Sequence, residues 1–233
     1  MRVIGLLGGM SWESTAEYYR LINQGVRCKM GGEHSAKIFL YSVDFAEISH
    51  LQHAGEWSKA SMLLCQAAQS LEKGGADLIA ICTNTMHKVA DAVAASVARP
   101  LVNIVDATAE KIGSVGIKKV GLLGTRFTME DGFYSARLSC FGLEVLTPEL
   151  SDREVIHRVI YDELCQGKVR NESRAAFENI IGRMSQAGAQ GVILGCTEIG
   201  LLVKARDSRG QPVLFDTTQI HAEKLVQLAL EGS

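Results

Sequence analysis

The chain repeats itself. IGLLG at residues 4–8 returns as VGLLG at 120–124, and GADLIAICTNT at 75–85 returns as GAQGVILGCTE at 188–198. More loosely, PLVNIVDAT at 100–108 returns as PVLFDTT at 212–218, each a proline-led run closing on Asp-x-Thr. The matches keep their order at offsets of 116, 113 and 112 residues, which restricts the fold to two like halves. Each match is a short apolar run entering a glycine- or threonine-rich turn. Eight such runs occur, at 2–7, 37–43, 77–82, 101–105, 119–124, 144–146, 191–195 and 213–215, separated by longer amphipathic stretches. That alternation predicts a parallel α/β protein. The fold class expected is therefore two similar, pseudo-symmetric parallel-sheet α/β domains. The first covers 1–110, joined by a C-terminal helix over 216–233; the second covers 111–215, with the boundary near 107–117. No Pro/Ser-rich linker intervenes, so the halves are expected to hold closely, with the active site in the cleft between them, where open α/β sheets place their strand-end loops. STAE (14–17), TMED (128–131) and SDRE (151–154) read as capping boxes at helix starts.

Composition narrows the partners. With 47% hydrophobic and 21% charged residues, 233 residues can bury a sizeable core. A formal charge of -2 with scattered Lys and Arg offers no basic stripe for a phosphate backbone, so no nucleic-acid partner is expected. The opening MRVIGLLGG reaches a glycine turn before any signal- or membrane-length apolar stretch, which predicts a cytoplasmic protein with no membrane partner. The six cysteines (28, 65, 82, 140, 165, 196) form no CxxC pair and no zinc-like cluster; they are read as reduced thiols with no metal. Glycines 5, 8 and 9 lie in GLLGGM, which is neither GxGxxG nor a P-loop with its lysine. A turn that brings backbone amides to a small ligand, walled by Met10, Ser11 and Trp12, explains them as well as a phosphate cradle does.

The repeat makes Thr83 and Cys196 equivalent positions, each at a strand end before a helix. At a helix N-terminus, amide dipoles lower a thiol pKa from its ordinary value of about 8.5, which would make Cys196 a base. Amides and hydroxyls of Asn84, Thr85, Thr197 and Glu198 could cradle a substrate carboxylate. A thiol base beside a held α-carboxylate suits α-proton removal, because the carbanion pushes charge onto fixed donors. A lone cysteine at a strand end is ordinarily core filler. The polar sequence around Cys196 and the matching TNTMH loop argue against filler here. Cys82, one residue from Thr83, turns to the opposite face and reads as core. His87 reads equally as a helper or as a satisfied structural histidine.

IGLLGGMS, CTNTMH and GCTEI together resemble the aspartate/glutamate racemase family over essentially the whole chain, and look closest to the broad-specificity amino-acid racemases of enteric bacteria. The resemblance implies two pseudo-symmetric α/β domains, a cleft active site, no pyridoxal phosphate, no metal and often a homodimer. It also implies two cysteines acting on opposite faces of an α-carbon. By resemblance Cys196 is the second catalytic cysteine. Asn84, Thr85, Thr197 and Glu198 are the carboxylate cradle, and Thr125 and Thr128 belong to a threonine-bearing loop. The chain departs from the usual CNTAH at Thr83, which stands where the first cysteine is expected. The positions at which aspartate-specific members carry an arginine and a lysine look like Ile48 and Cys165, with Lys168 near but displaced. A buried distal carboxylate needs compensating charge, so these departures point away from strict aspartate specificity.

The reading expected from sequence is a cofactor-independent amino-acid racemase acting on aspartate, glutamate or related polar amino acids. A threonine hydroxyl is too weak an acid to become a base near neutrality, so the L and D directions are expected to be unequal. Two alternatives keep the pocket: a single-cysteine isomerase or decarboxylase, and a non-catalytic amino-acid-binding homologue.

Overall fold

A computed structural model describes residues 1–203 and 212–231. In chain order the elements are β1 (Ile4–Gly8), α1 (Trp12–Met30), β2 (Ile38–Ser42), α2 (Phe45–His53), α3 (Trp57–Lys73), β3 (Leu78–Ile81), a 3-10 turn (Thr85–Val89), α4 (Ala90–Ala95), β4 (Leu101–Val102) and α5 (Ile104–Ser114). There follow β5 (Lys119–Gly124), α6 (Arg126–Glu130), α7 (Phe133–Cys140), β6 (Glu144–Leu146), α8 (Leu150–Asp162), a second 3-10 turn (Leu164–Gln166), α9 (Asn171–Gln186), β7 (Gly191–Gly195), α10 (Ile199–Leu202), β8 (Val213–Asp216) and α11 (Thr217–Leu230). The chain divides into one unit of Met1–Ile104 with the segment from Thr218 onward, and a second of Val105–Thr217. Residues 232–233, the end of the expected C-terminal helix, lie outside the described residues.

Each unit is built on its own four-stranded parallel sheet. The orders are β2-β1-β3-β4 and β6-β5-β7-β8, so every repeated segment occupies the same place in both sheets. The central strands β1, β3 and β7 are buried along their whole length. Their sequences are unbroken apolar runs because helices cover both faces of a parallel sheet. The edge strand β2 differs. Phe39, Leu40 and Tyr41 are all exposed, although the run is as apolar as the central strands.

Two expectations about boundaries are corrected. LVNIV was read as a strand over 101–105, but only Leu101–Val102 pair, and α5 begins at Ile104. Ile104 and Val105 are buried as helix residues, and a short apolar run cannot distinguish the two states by periodicity. The capping boxes are also displaced. Ser11 caps α1, accepting from the Ser14 amide at 3.3 Å, and Thr125 caps α6, accepting from the Thr128 amide at 3.4 Å. Ser14 and Thr128 therefore lie inside the first turn. Ser151 lies inside α8, which starts at Leu150.

His221, on α11, ties the first unit together. Its Nε2 lies 2.8 Å from the Val102 carbonyl, which only accepts, so Nε2 carries the proton and Nδ1 accepts from the Tyr18 hydroxyl at 2.8 Å. Burial lowers the His221 pKa to about 4, with the Val102 bond opposing. An unfolded histidine titrates near 6.5, so the unfolded chain takes up this proton first. The contribution is complete above about pH 6.5 and is lost as pH falls toward 4. We expect the loss to reach the order of 3 kcal/mol across that window. Urea unfolding of the wild type and of His221→Gln checks it: the stability gap between them should shrink on acidification, and a gap independent of pH would contradict a neutral His221. Among the described residues no helix is long and apolar enough to cross a membrane.

Candidate active site

In the second unit β5 and β7 are neighbours, with Gly124 paired to Gly195. The residues that follow them, Thr125-Arg126 and Cys196-Thr197-Glu198, therefore leave the sheet side by side at its carboxyl edge. Neither glycine has room for a side chain: a Cβ at Gly195 would lie 2.7 Å from the Leu123 carbonyl, and one at Gly124 would lie 2.9 Å from the Gly195 carbonyl. Cys196 is buried and its Sγ donates to Glu198 Oε2 at 2.9 Å. The Thr197 hydroxyl donates to the same oxygen at 2.7 Å. Glu198 is only 4% exposed, so its carboxylate sits in surroundings where a charge-assisted bond to a thiol is strong.

This arrangement corrects the electrostatic expectation for Cys196. Its thiol is raised well above the ordinary value: burial is the main cause, followed by the charges of Glu198 and Cys165. The helix that was to lower it, α10, has four residues and begins three positions later, too short and too far to offset burial. Cys196 is therefore held as a thiol with a proton acceptor already in contact. The expected cradle used the backbone and hydroxyl groups of 197–198; the carboxylate of Glu198 as the thiol's partner was not foreseen. One other group was missed. Tyr161 on α8 packs against His157, with ring centroids 4.8 Å apart and planes tilted by 56°. Its hydroxyl is held protonated by burial first, then by the charges of Cys196, Cys165 and Glu198, while Arg126 acts in the opposite sense. Cys165 lies in the second 3-10 turn and packs against the apolar cluster that contains Cys196.

In the first unit Thr83 and Asn84 follow β3, and Thr85 opens the 3-10 turn, all three buried. His87 is structural: Nδ1 donates to the Thr83 carbonyl at 2.8 Å and Nε2 accepts the Ile104 amide at 3.1 Å, fixing the turn against the start of α5. Cys82 is fully buried, and desolvation pushes its thiol up, in keeping with a core residue. Met10 is buried in an apolar cluster with Ile48 and Met86, whereas Trp12 is exposed. The GLLGGM glycines serve close packing. Gly9 has φ of 89°, a Cβ there would strike the Val43 backbone, and its amide donates to Thr15 Oγ1 at 2.8 Å. The hydroxyls of Ser11 and Ser14 lie 3.3 Å apart, and those of Thr125 and Thr128 3.2 Å apart. A pair of hydroxyls thus stands after the first strand of each unit. Lys168, the displaced cation, donates to Gln166 Oε1 at 2.7 Å and is exposed.

Residues 7–225 match the family model for Asp/Glu/Hydantoin racemase. The chain belongs to that family. Among solved structures, a Yersinia pestis protein provisionally assigned as an Asp/Glu racemase is 54% identical, with a TM-score of 0.92 over 99% of this chain and 100% of that one. An aspartate racemase homologue from Pyrococcus horikoshii OT3 is 38% identical, with a TM-score of 0.86 over 99% and 100%. The broad specificity amino-acid racemase RacX of Bacillus subtilis (strain 168) is 25% identical over 86% of this chain and 87% of its own. More distant, the glutamate racemase of Francisella tularensis, 15% identical with a TM-score of 0.63, shares the two-sheet α/β fold. The family is one of racemases, which are isomerases, and the buried Cys196–Glu198 pair stands at a strand end of its fold.

Proposed function

We propose that the protein is an amino-acid racemase that uses no pyridoxal phosphate or metal and moves the α-proton with the Cys196 thiolate. The observation that carries this reading is the 2.9 Å hydrogen bond from Cys196 Sγ to the buried Glu198 carboxylate, in a chain of a racemase family. The thiol proton passes to Glu198 Oε2, leaving a thiolate and a neutral carboxyl group. The thiolate removes the α-proton, and the carbon keeps the electron pair as a carbanion delocalised into the substrate carboxylate. The substrate ammonium stabilises the thiolate as it forms, which offsets the burial that opposes it in the free protein. Amides and hydroxyls of Asn84, Thr85, Thr125, Thr128 and Thr197, with the amide of Glu198, are proposed to hold that carboxylate.

Thr83 stands where the resemblance places the first cysteine. Its hydroxyl donates the returning proton from the other face, directly or through a water it holds, and is the slow partner because its alkoxide is costly. The product mixture is equimolar, so detailed balance makes kcat/KM equal for the two enantiomers. The asymmetry must therefore appear as unequal kcat values with KM unequal in the same ratio. Thr83→Cys is expected to raise the rate of inversion by at least ~10-fold, since a positioned acid or base of suitable pKa contributes 10²–10⁴-fold. No change in either direction would remove Thr83 from the reaction. Incubation of the purified protein with L and D amino acids, followed by chiral chromatography, tests the whole reading. Racemisation of a polar amino acid without added cofactor is expected. Loss of carboxylate or rearrangement would instead indicate the single-cysteine isomerase or decarboxylase, and binding without turnover a non-catalytic homologue.

A further inference from the structure

The Cys196–Glu198 pair sits on a piece of chain that cannot hold its own shape. After β7 the chain forms α10, and a helix of four residues has no independent stability. Its backbone bonds are short-range: the Ile199 amide donates to the Cys196 carbonyl at 3.1 Å and the Leu201 amide to the Glu198 carbonyl at 3.0 Å. The 2.9 Å separation of thiol and carboxylate therefore depends on what grips this segment from outside.

One grip comes from the end of β8, in the PVLFDTT run that the repeat singles out and the α-carbon chemistry leaves unused. β8 pairs with β7 so that Asp216 stands opposite Leu194, two residues before Cys196. Thr217 Oγ1 donates to the Leu194 carbonyl at 2.8 Å, which fixes the chain on the near side of the pair. Asp216 reaches the far side. A Cβ placed on Gly200 would lie 2.4 Å from Asp216 Oδ2 and 3.3 Å from its Cγ, closer than to any other side chain or to neighbouring backbone. The carboxylate thus rests against the Gly200 backbone, in the space a side chain would fill. Gly200 has no positive φ, so packing against Asp216 is what demands glycine there. Consecutive residues of β8 and α11 hold the chain at 194 and at 200, and the proton-transfer pair lies between. Asp106, the echo of Asp216 in the repeat, does something else: it lies in α5 and accepts from Arg137 Nε and Nη2 at 2.5 and 2.8 Å.

Resting on the racemase reading, we infer that Asp216 is a positioning residue for the proton transfer, seated on Gly200 so that the Glu198 carboxylate stays within reach of the Cys196 thiol. It acts through the backbone of α10 and not on the reacting atoms.

The test compares wild type, Asp216→Ala, Asp216→Asn, Gly200→Ala and the double variant Gly200→Ala/Asp216→Ala, with circular dichroism to confirm the fold. Turnover of glutamate and aspartate is read by chiral chromatography. Asp216→Ala and Gly200→Ala should each lower kcat by about 10- to 100-fold with KM within a few fold of wild type, since a displacement near 1 Å costs about that much. Asp216→Asn, which keeps an oxygen against Gly200, should lose less. The double variant should be no slower than Asp216→Ala, because an alanine at 200 then has room; losses that multiply would overturn the assignment. The kcat of Asp216→Ala should also rise more steeply with pH, as thiolate formation passes to solvent. A wild-type kcat and pH profile in folded Asp216→Ala would reduce the contact to packing.

A second readout needs no turnover. Alkylation of Cys196 by iodoacetamide, followed by peptide mass spectrometry, should be several-fold faster at neutral pH in Asp216→Ala, because the Glu198 charge that holds the thiol protonated no longer lies against it. In a Glu198→Gln background Asp216→Ala should add nothing; an equal acceleration there would overturn a role through Glu198. Absence of turnover by the wild type on every amino acid would sink the racemase reading alone, and the alkylation rates would still decide Asp216.

Discussion

Replacing Cys196 with serine is expected to reduce kcat for racemisation by at least ~10³-fold while leaving the fold intact. Serine is nearly isosteric, and its hydroxyl can donate to Glu198 Oε2 as the thiol does, so the buried carboxylate keeps both its donors. What changes is acidity. A thiol ionises several pH units below an aliphatic hydroxyl, and the burial that raises Cys196 opposes ionisation of a serine at the same place as well. A serine at this position is therefore a donor that cannot become a base. Circular dichroism and substrate titration of the variant separate lost chemistry from lost structure. Activity within a few fold of wild type would show that another group takes the α-proton.

The second large effect is expected at Glu198. Its charge raises the Cys196 thiol, yet its oxygen is also the only acceptor recorded for the thiol proton among the described residues. Glu198→Gln separates these two roles. Removing the charge favours the thiolate, while removing the acceptor forces the proton to leave for solvent from a buried position. Loss of a positioned proton acceptor ordinarily costs ~10²–10⁴-fold, which exceeds the relief of a single repulsion at partly relaxed geometry. We therefore expect kcat at neutral pH to fall by ~10²-fold and to rise with pH more steeply in the variant, because thiolate formation now depends on solvent hydroxide. In the wild type the proton stays within the pair and the profile is flatter. A variant with the wild-type profile and rate would reduce Glu198 to a structural partner.

Much of this architecture was legible because parallel sheets impose a simple pattern. Strands buried on both faces must be continuous apolar runs, and β1, β3, β5 and β7 are such runs in pairs of matching sequence. The repeat also located Thr83 and Cys196, since equivalent strands in sheets of equal order end at equivalent positions. Helix starts were misread by about three residues for a specific reason. The true caps, Ser11 and Thr125, are followed three residues later by a hydroxyl residue rather than by Glu or Gln, so the familiar box pattern fell one turn downstream. The exposed face of β2 carries no sequence signal either, because Phe39, Leu40 and Tyr41 look like core residues.

The placement of Cys196 just after β7 was legible, but its electrostatic surroundings were not. A strand-to-helix junction suggested a lowered thiol pKa, but the short α10 contributes little field and burial dominates. That balance depends on how deeply the loop after β7 is packed, which no local motif encodes. Glu198 was visible as part of GCTEI, yet its carboxylate turns back onto the residue two positions earlier only because the backbone after Gly195 curls into the start of a helix. Tyr161 comes from a separate element and reaches the apolar cluster that contains Cys196 only through the packing of α8. Long-range placement of this kind is a property of the sheet order rather than of any stretch of residues.

The most direct test of thiol-based α-proton transfer is solvent exchange. Purified wild type and Cys196→Ser are incubated with L- and with D-glutamate and aspartate in heavy water without added cofactor, and the α-proton signal is followed by NMR. With Cys196 as base, the wild type replaces the α-proton by deuterium and inverts configuration, and the enantiomer that presents its proton to Cys196 exchanges faster than it inverts. The serine variant does neither. Exchange at undiminished rate in the Cys196→Ser protein, with its fold intact, would contradict the mechanism outright.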